Sequence, residues 1–171
     1  GKSMAEKLKG GTGQLVALDL PGDRIARLRE NLSNLCNVKY SIVEADLNDV
    51  SPEYLESLNL PRQYDVVLLD APCSNTGVLR RRVDAKWRLK EDDIAKMSQV
   101  QLKLLKKAST FLASRGRLVY STSSIENAEN GDVVSKFLES VGEAFEFVQG
   151  KVTYPWLEGC DGGGAFLINK K

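Results

Sequence analysis

Short apolar runs alternate along the chain with stretches in which apolar residues recur every three or four positions, the pattern of strands alternating with amphipathic helices. Residues 14–20 form an apolar run with Asp19 near its end. Pro21 and Gly22 break it, and Ile25, Leu28, Leu32 and Leu35 then fall on one helical face. Upstream, Ser3 and Glu6 have capping-box spacing at the start of a short helix that Gly10 and Gly11 end. A second strand is predicted over 38–43, and Ser51 followed by Pro52 suits the N-cap and first position of a helix through Leu58. Residues 64–70, Tyr-Asp-Val-Val-Leu-Leu-Asp, read as a strand buried on both faces of a parallel sheet. The spacing of Ile94, Met97, Leu104, Leu105, Ala108, Phe111 and Leu112 predicts a helix over 91–112, with Gln101 the one polar residue on its apolar face. A strand over 117–121, a helix over 129–141 and strands over 145–148 and 165–169 complete the series. This order predicts one α/β domain over residues 1–171 with a mostly parallel, doubly wound, Rossmann-like sheet, whose ligands bind at the carboxyl ends of the strands.

Composition narrows the chemistry. The 171 residues are 42% hydrophobic, enough for a well-buried core, and carry a formal net charge of +1, so attraction to a polyanion has to come from local clusters. Histidine is absent, which removes the usual general base, the commonest metal ligand and every Ser-His-Asp arrangement. Cys36, Cys73 and Cys160 include no Cys-x-x-Cys pair, so neither a zinc site nor a disulfide framework is expected, and a reducing cytoplasm fits best. No apolar run is long enough to span a membrane, and no metal cofactor is expected.

The strand ends collect the polar chemistry: Asp19, Asp46, Asp70 with Pro72 and Cys73, and the hydroxyl run from Ser121 to Ser124. A carboxylate closing the second strand of such a fold can accept both hydroxyls of a ribose, and one after the third can accept an adenine amino proton, which suits an adenosine cofactor. Alternatively, Asp19 and Asp46 cap the helices that follow them.

Asp70-Ala71-Pro72-Cys73-Ser74, then Asp84 to Trp87, Gln101 to Leu105, Tyr120-Ser121-Thr122-Ser123-Ser124, and Glu129 with Asn130 occur in an order that resembles the Sun-type family of RNA cytosine carbon-5 methyltransferases. The resemblance spans nearly the whole chain and implies a class I methyltransferase fold with an antiparallel last strand. It also implies S-adenosylmethionine as methyl donor and RNA, ribosomal RNA in particular, as substrate. It places Gly1, Lys2, Asp19, Arg24, Asp46 and Asp70 at the cofactor and makes Asp70, Cys73 and Ser123 the catalytic positions.

Two departures from the family pattern matter. Gly1-Lys2-Ser3 resembles the tail of a glycine-rich cofactor motif that normally follows a first strand. A fragment lacking that strand is therefore expected, with the strands at 14–20 and 64–70 not directly paired and an RNA-targeting domain lying in sequence outside the chain. The second departure is chemical. Carbon 5 of cytosine is a poor nucleophile, and the family solves this by adding a cysteine thiolate at carbon 6. By resemblance that cysteine belongs at Ser123, where a hydroxyl is far less ionised than a thiol. The counterpart of Cys73 helps release the methylated product. The resemblance thus implies a methyltransferase architecture whose turnover in this chain is doubtful, with a non-catalytic module that binds cofactor and RNA as the alternative.

Arg80, Arg81, Arg82, Lys86, Arg88 and Lys90 put six cations into eleven positions, offset by Asp84. Alone, such a run is a solvated surface; beside a cytosine motif it reads as a rim for RNA phosphates. Trp87 either stacks on a base or packs over the loop.

Overall fold

The computed structural model describes residues 13–34, 38–81 and 89–171. The chain divides into two compact units, Gly1–Pro61 and Arg62–Lys171. In the first, strand β1 (Gln14–Asp19) pairs in parallel with β2 (Lys39–Glu44), from Gln14 opposite Lys39 to Asp19 opposite Glu44. Helix α1 (Asp23–Ser33) connects them and buries Ile25 and Leu32, with Leu28 half-buried on the same face; Leu35 lies outside the described residues. Ser51 caps α2 (Pro52–Ser57), its hydroxyl accepting from the Tyr54 backbone N–H at 3.1 Å, and Leu55 anchors that helix in the core. The Ser-Pro pair works as expected because proline lacks the N–H that a helix start cannot satisfy anyway.

The second unit holds a four-stranded sheet in the order β3 (Tyr64–Asp70), β4 (Leu112–Thr122), β6 (Gly163–Lys170), β5 (Phe145–Thr153). β3 and β4 run parallel, and β6 is antiparallel to both of its neighbours, as expected for the last strand. Helices α3 (Glu91–Ser109) and α4 (Gly131–Val141) pack on each other; α3 also lies on β3 and β4, and α4 on β5. Buried positions alternate along the strands, Leu118, Tyr120 and Thr122 on β4 and Phe166 and Ile168 on β6, as the two-residue side-chain period requires. Phe137 of α4 is fully buried and meets Phe145 edge-on at 5.3 Å between ring centroids.

Several boundaries differ from the sequence expectation for identifiable reasons. The predicted 91–112 helix stops at Ser109, where the hydroxyls of Ser109 and Thr110 take the carbonyls of Lys106 and Lys107 at 2.7 and 2.8 Å. Phe111 and Leu112 then serve the sheet instead: the Phe111 carbonyl accepts from the Tyr64 N–H at 2.8 Å and Leu112 opens β4. β4 is longer than predicted because the register jumps from Tyr64 opposite Leu112 to Val66 opposite Arg117, and Arg115 takes a left-handed φ of 61° inside that bulge. β3 has the predicted bounds but is not buried on both faces, since Val66 and Leu68 are 44% and 49% exposed. Among the described residues β1 and β3 belong to different sheets and are not paired. The predicted helix start at Glu129 is a 3₁₀ turn, Asn127–Glu129, and α4 begins at Gly131.

Candidate active site

Parallel pairing of β3 with β4 brings Asp70 opposite Ser121, so the loops leaving the two strands run side by side. The Ala71 N–H donates to the Ser121 carbonyl at 2.9 Å, and the Ser121 hydroxyl lies 3.3 Å from one side-chain oxygen of Asp70. Further out, the Gly77 N–H donates to the Ser123 carbonyl at 3.0 Å and the Ile125 N–H to the Thr76 hydroxyl at 3.1 Å. Asn75 takes a left-handed φ of 61° and turns the first loop back, its side-chain amide donating to the Cys73 carbonyl at 3.0 Å. In this way the structure brings together three sequence candidates, Asp70, Cys73 and Ser123.

The two loops share a buried acceptor. Glu129 is fully buried, and one of its side-chain oxygens accepts from the Ser74 N–H at 2.9 Å and the Gln101 amide at 3.0 Å. The other accepts from the Ser124 hydroxyl at 2.5 Å and from the Ser74 hydroxyl. Gln101 also donates to the Pro72 carbonyl at 2.8 Å, which explains the single polar residue on the apolar face of α3. Asn130 completes the second loop, accepting from the Thr122 hydroxyl at 2.7 Å and donating to the carbonyls of Ser124 and Glu126. Unsatisfied polar groups are costly away from water, so these serines specify the loop geometry only because the glutamate answers them. Sequence reading assigned no role to Glu129 beyond opening a helix; the signal that identifies it is the pair of hydroxyls at Ser74 and Ser124, one in each loop, which need a shared acceptor once the loops meet.

Gly77 is where the loops meet a third segment. Its carbonyl accepts from the Gly162 N–H at 2.8 Å, and a Cβ at this position would collide with the Gly162 carbonyl and lie 2.9 Å from the Ser123 carbonyl. Both obstacles are backbone and cannot rotate away. Gly77→Ala is expected to lower stability by about 1–3 kcal/mol, read as a lower thermal midpoint. An unchanged midpoint would remove the clamp assigned to this glycine.

Cys73 is half-buried, and burial pushes its thiol above the ordinary value; the charges of Glu129 and Asp70 add to the shift, while the backbone N–H groups of Asn75 and Ser123 point at the sulfur and oppose it. With the native pKa raised above that of the unfolded chain, the native state holds the proton longer, so this group's contribution to stability is complete below the unfolded thiol pKa and is lost as pH rises through the native one. Reactivity runs the opposite way. In a chain carrying Cys36→Ser and Cys160→Ser, iodoacetamide is expected to label Cys73 slowly at neutral pH, the rate climbing to a midpoint above that of a free thiol. A midpoint at or below the free-thiol value, measured by mass spectrometry, would contradict the environment described. Behind the loops, Tyr120 is fully buried and its hydroxyl, raised strongly by burial, donates to the Glu129 carbonyl at 2.6 Å.

The remaining candidates are distributed as follows. Asp19 and Arg24 form an exposed ion pair at 3.3 Å in the first unit; the same Asp19 oxygen accepts from the Leu20 N–H, and its other oxygen makes no hydrogen bond among the described residues. Asp46 accepts from the backbone and side-chain nitrogens of Asn48, both at 2.8 Å, which closes a turn; the helix that follows is capped by Ser51 and not by Asp46, contrary to the capping alternative. Arg80 and Arg81 are exposed, and Arg81 pairs with Asp161 at 3.0 Å. Gly1, Lys2, Arg82, Lys86, Trp87 and Arg88 lie outside the described residues. Among the described residues, no group of three or more acidic or sulfur side chains could hold a metal ion, and no helix is long and apolar enough to cross a membrane.

The Rossmann-like α/β architecture is the one found in solved methyltransferases. A solved methyltransferase homologue from Pyrococcus horikoshii is similar at a TM-score of 0.76 and 26% identity, over 100% of this chain and 58% of that one. NSun6 from the same organism shares the fold at a TM-score of 0.79 and 22% identity, over 99% of this chain and 44% of that one. The chain belongs to the 16S rRNA methyltransferase RsmB/F family, whose model matches residues 2–154. It is 38% identical over 157 residues to ribosomal RNA small subunit methyltransferase B of Proteus mirabilis, covering 92% of this chain and 36% of that protein. Against the protein of the same name from Photorhabdus laumondii it is 39% identical, covering 87% of this chain and 35% of the relative. The chain thus spans about a third of the length of these relatives.

Proposed function

We propose that the chain carries the catalytic site of an RNA cytosine carbon-5 methyltransferase acting on small-subunit ribosomal RNA, with the residue at position 123 as the attacking group and Cys73 assisting product release. The observation that carries this reading is the pairing of the two motif loops at adjacent strand ends, with Asp70 opposite Ser121 and the Gly77 N–H on the Ser123 carbonyl at 3.0 Å, which sets the loop of Asp70 and Cys73 beside that of Ser123. S-adenosylmethionine, when bound, supplies an electrophilic methyl group on a sulfonium that leaves as a neutral thioether. Within the second unit, Asp70 fits such a donor, keeping one side-chain oxygen without a hydrogen bond among the described residues, ready to accept hydroxyl or amino protons.

In the proposed reaction the group at position 123 loses its proton to water and bonds to carbon 6 of the cytosine, so that the electron pair of the carbon 5–carbon 6 double bond moves to carbon 5, which takes the methyl group. The carbon-5 proton then passes to water, its electron pair re-forms the double bond, and the bond to the enzyme breaks with its pair on the residue at position 123, a second half that Cys73 promotes. Asp70 accepts from the exocyclic amino edge of the base and orients the ring. The exposed Arg80 meets the RNA backbone.

Serine at position 123 favours a second reading, in which the same architecture binds cofactor and RNA without turnover. Its hydroxyl makes no hydrogen bond among the described residues, so none of these is in place as a base to activate it. Methyl transfer from S-adenosylmethionine to small-subunit ribosomal RNA, measured with the parent chain beside Ser123→Cys, separates the readings. Gain of transfer by the cysteine variant supports the enzyme architecture, and binding of RNA and cofactor without any gain supports the module.

A further inference from the structure

Next to the paired loops lies a cavity of about 220 Å³ whose walls include Leu79, Ile125, Pro155 and Trp156, with Arg80 and Asp161 also lining it. Thr76 and Gly77 form part of the same lining, and their bonds to Ile125 and Ser123 place the cavity beside the loops that carry Cys73 and Ser123. Its volume is below that of a pocket for a drug-sized ligand, about 300 Å³ or more, and suits a single planar ring. Trp156 is 68% exposed although its neighbour Tyr154 supports the indole at 5.2 Å between ring centroids. A large ring left that open at the edge of a cavity, held by a second aromatic, is available for stacking. Charge selects the occupant. Arg81 is tied to Asp161, whereas Arg80 has no ion pair among the described residues and is free to meet an anion.

We infer that this cavity is a subsite for a nucleobase next to the target cytosine in the RNA strand, stacked on Trp156 with its phosphate on Arg80. This rests on the RNA reading above and goes beyond it by locating where a flanking base is held. A base removed from its own stack recovers that contact on an aromatic side chain, and the cavity shares the loops on which the target would react. An unpaired flanking nucleotide is thereby favoured over a paired one.

The test uses the full chain and a single-stranded RNA dodecamer with one central cytosine, together with dodecamers in which the nucleotide before or after that cytosine is abasic. Binding is followed by anisotropy, and also by tryptophan emission in a Trp87→Phe background, where Trp156 is the single tryptophan. The intact RNA is expected to quench Trp156. Trp156→Ala is expected to weaken binding about tenfold, and Trp156→Phe to retain most of the affinity. One of the abasic RNAs should lose the same factor against the parent and almost nothing against Trp156→Ala. RNA bound equally well by the parent and Trp156→Ala, or an abasic loss that persists in the variant, overturns the subsite and leaves the functional reading in place. A parent chain that binds none of the RNAs overturns both, and would leave the exposed Trp156 as a contact for a protein.

Discussion

Replacing Ser123 with cysteine is expected to raise methyl transfer to small-subunit ribosomal RNA by a factor on the order of 10² or more. The reason is ionisation. A thiol of ordinary pKa is a few per cent thiolate at neutral pH and attacks well, while a serine hydroxyl needs a base to remove its proton. Histidine is absent from the whole sequence, and the Ser123 hydroxyl has no hydrogen-bond partner among the described residues. The substitution is nearly isosteric at a half-buried site, and the loop is held through the Ser123 carbonyl by Gly77 rather than through the side chain, so the fold should tolerate it. A second signature distinguishes addition at carbon 6 from other routes. RNA containing 5-fluorocytidine has no carbon-5 proton to lose after methylation, so the cysteine variant should stay covalently attached on a denaturing gel while the parent should not. A folded cysteine variant that binds RNA and shows neither transfer nor adduct would rule out the role proposed for position 123.

Truncating Glu129 to alanine is expected to cost about 3–5 kcal/mol of stability. The side chain is fully buried and answers four donors: the Ser74 N–H and hydroxyl, the Gln101 amide and the Ser124 hydroxyl. Alanine leaves all four facing a void, and each buried orphan costs about 1–3 kcal/mol, reduced where a rotatable hydroxyl finds Thr76 instead, as the Ser74 and Ser124 hydroxyls already do at 3.5 and 3.1 Å. Glu129→Gln keeps the shape and one acceptor oxygen, so its loss should be smaller. Urea unfolding of the three chains provides the comparison. A Glu129→Ala midpoint within error of the parent would mean that the loops are held without the glutamate.

Both expectations depend on the same division of labour. Leu105, Leu112, Leu118, Phe137 and Ile168 form a fully buried apolar floor, and the polar layer around Glu129 sits above it where β3 and β4 end. An apolar floor is tolerant of exchange between hydrophobic residues of similar volume. The polar layer is less so, because its donors converge on one carboxylate and, apart from each other, have at most one neighbouring oxygen, on Thr76 or Pro72, to turn to.

What the sequence determined by itself was local. The bounds of β3, the Ser51 cap of α2, the helical faces of α1 and α3, and the placing of Asp70, Cys73 and Ser123 at strand ends follow from periodicities of two and 3.6 and from capping chemistry. The family resemblance rested on the same contiguous motifs. Only the tertiary structure decided what answers the buried polar groups. Glu129 reaches Ser74 across 55 residues and Gln101 across 28, and Gly77 meets Gly162 through the backbone, separations over which no local pattern carries information. It also decided which apolar side chains are left open: Val66 and Leu68 on a strand that reads as buried, and Trp156 at the edge of a cavity assembled from three distant loops. The physical reason is that periodicity reports which side of an element is apolar, whereas burial and hydrogen bonding depend on the element placed against it.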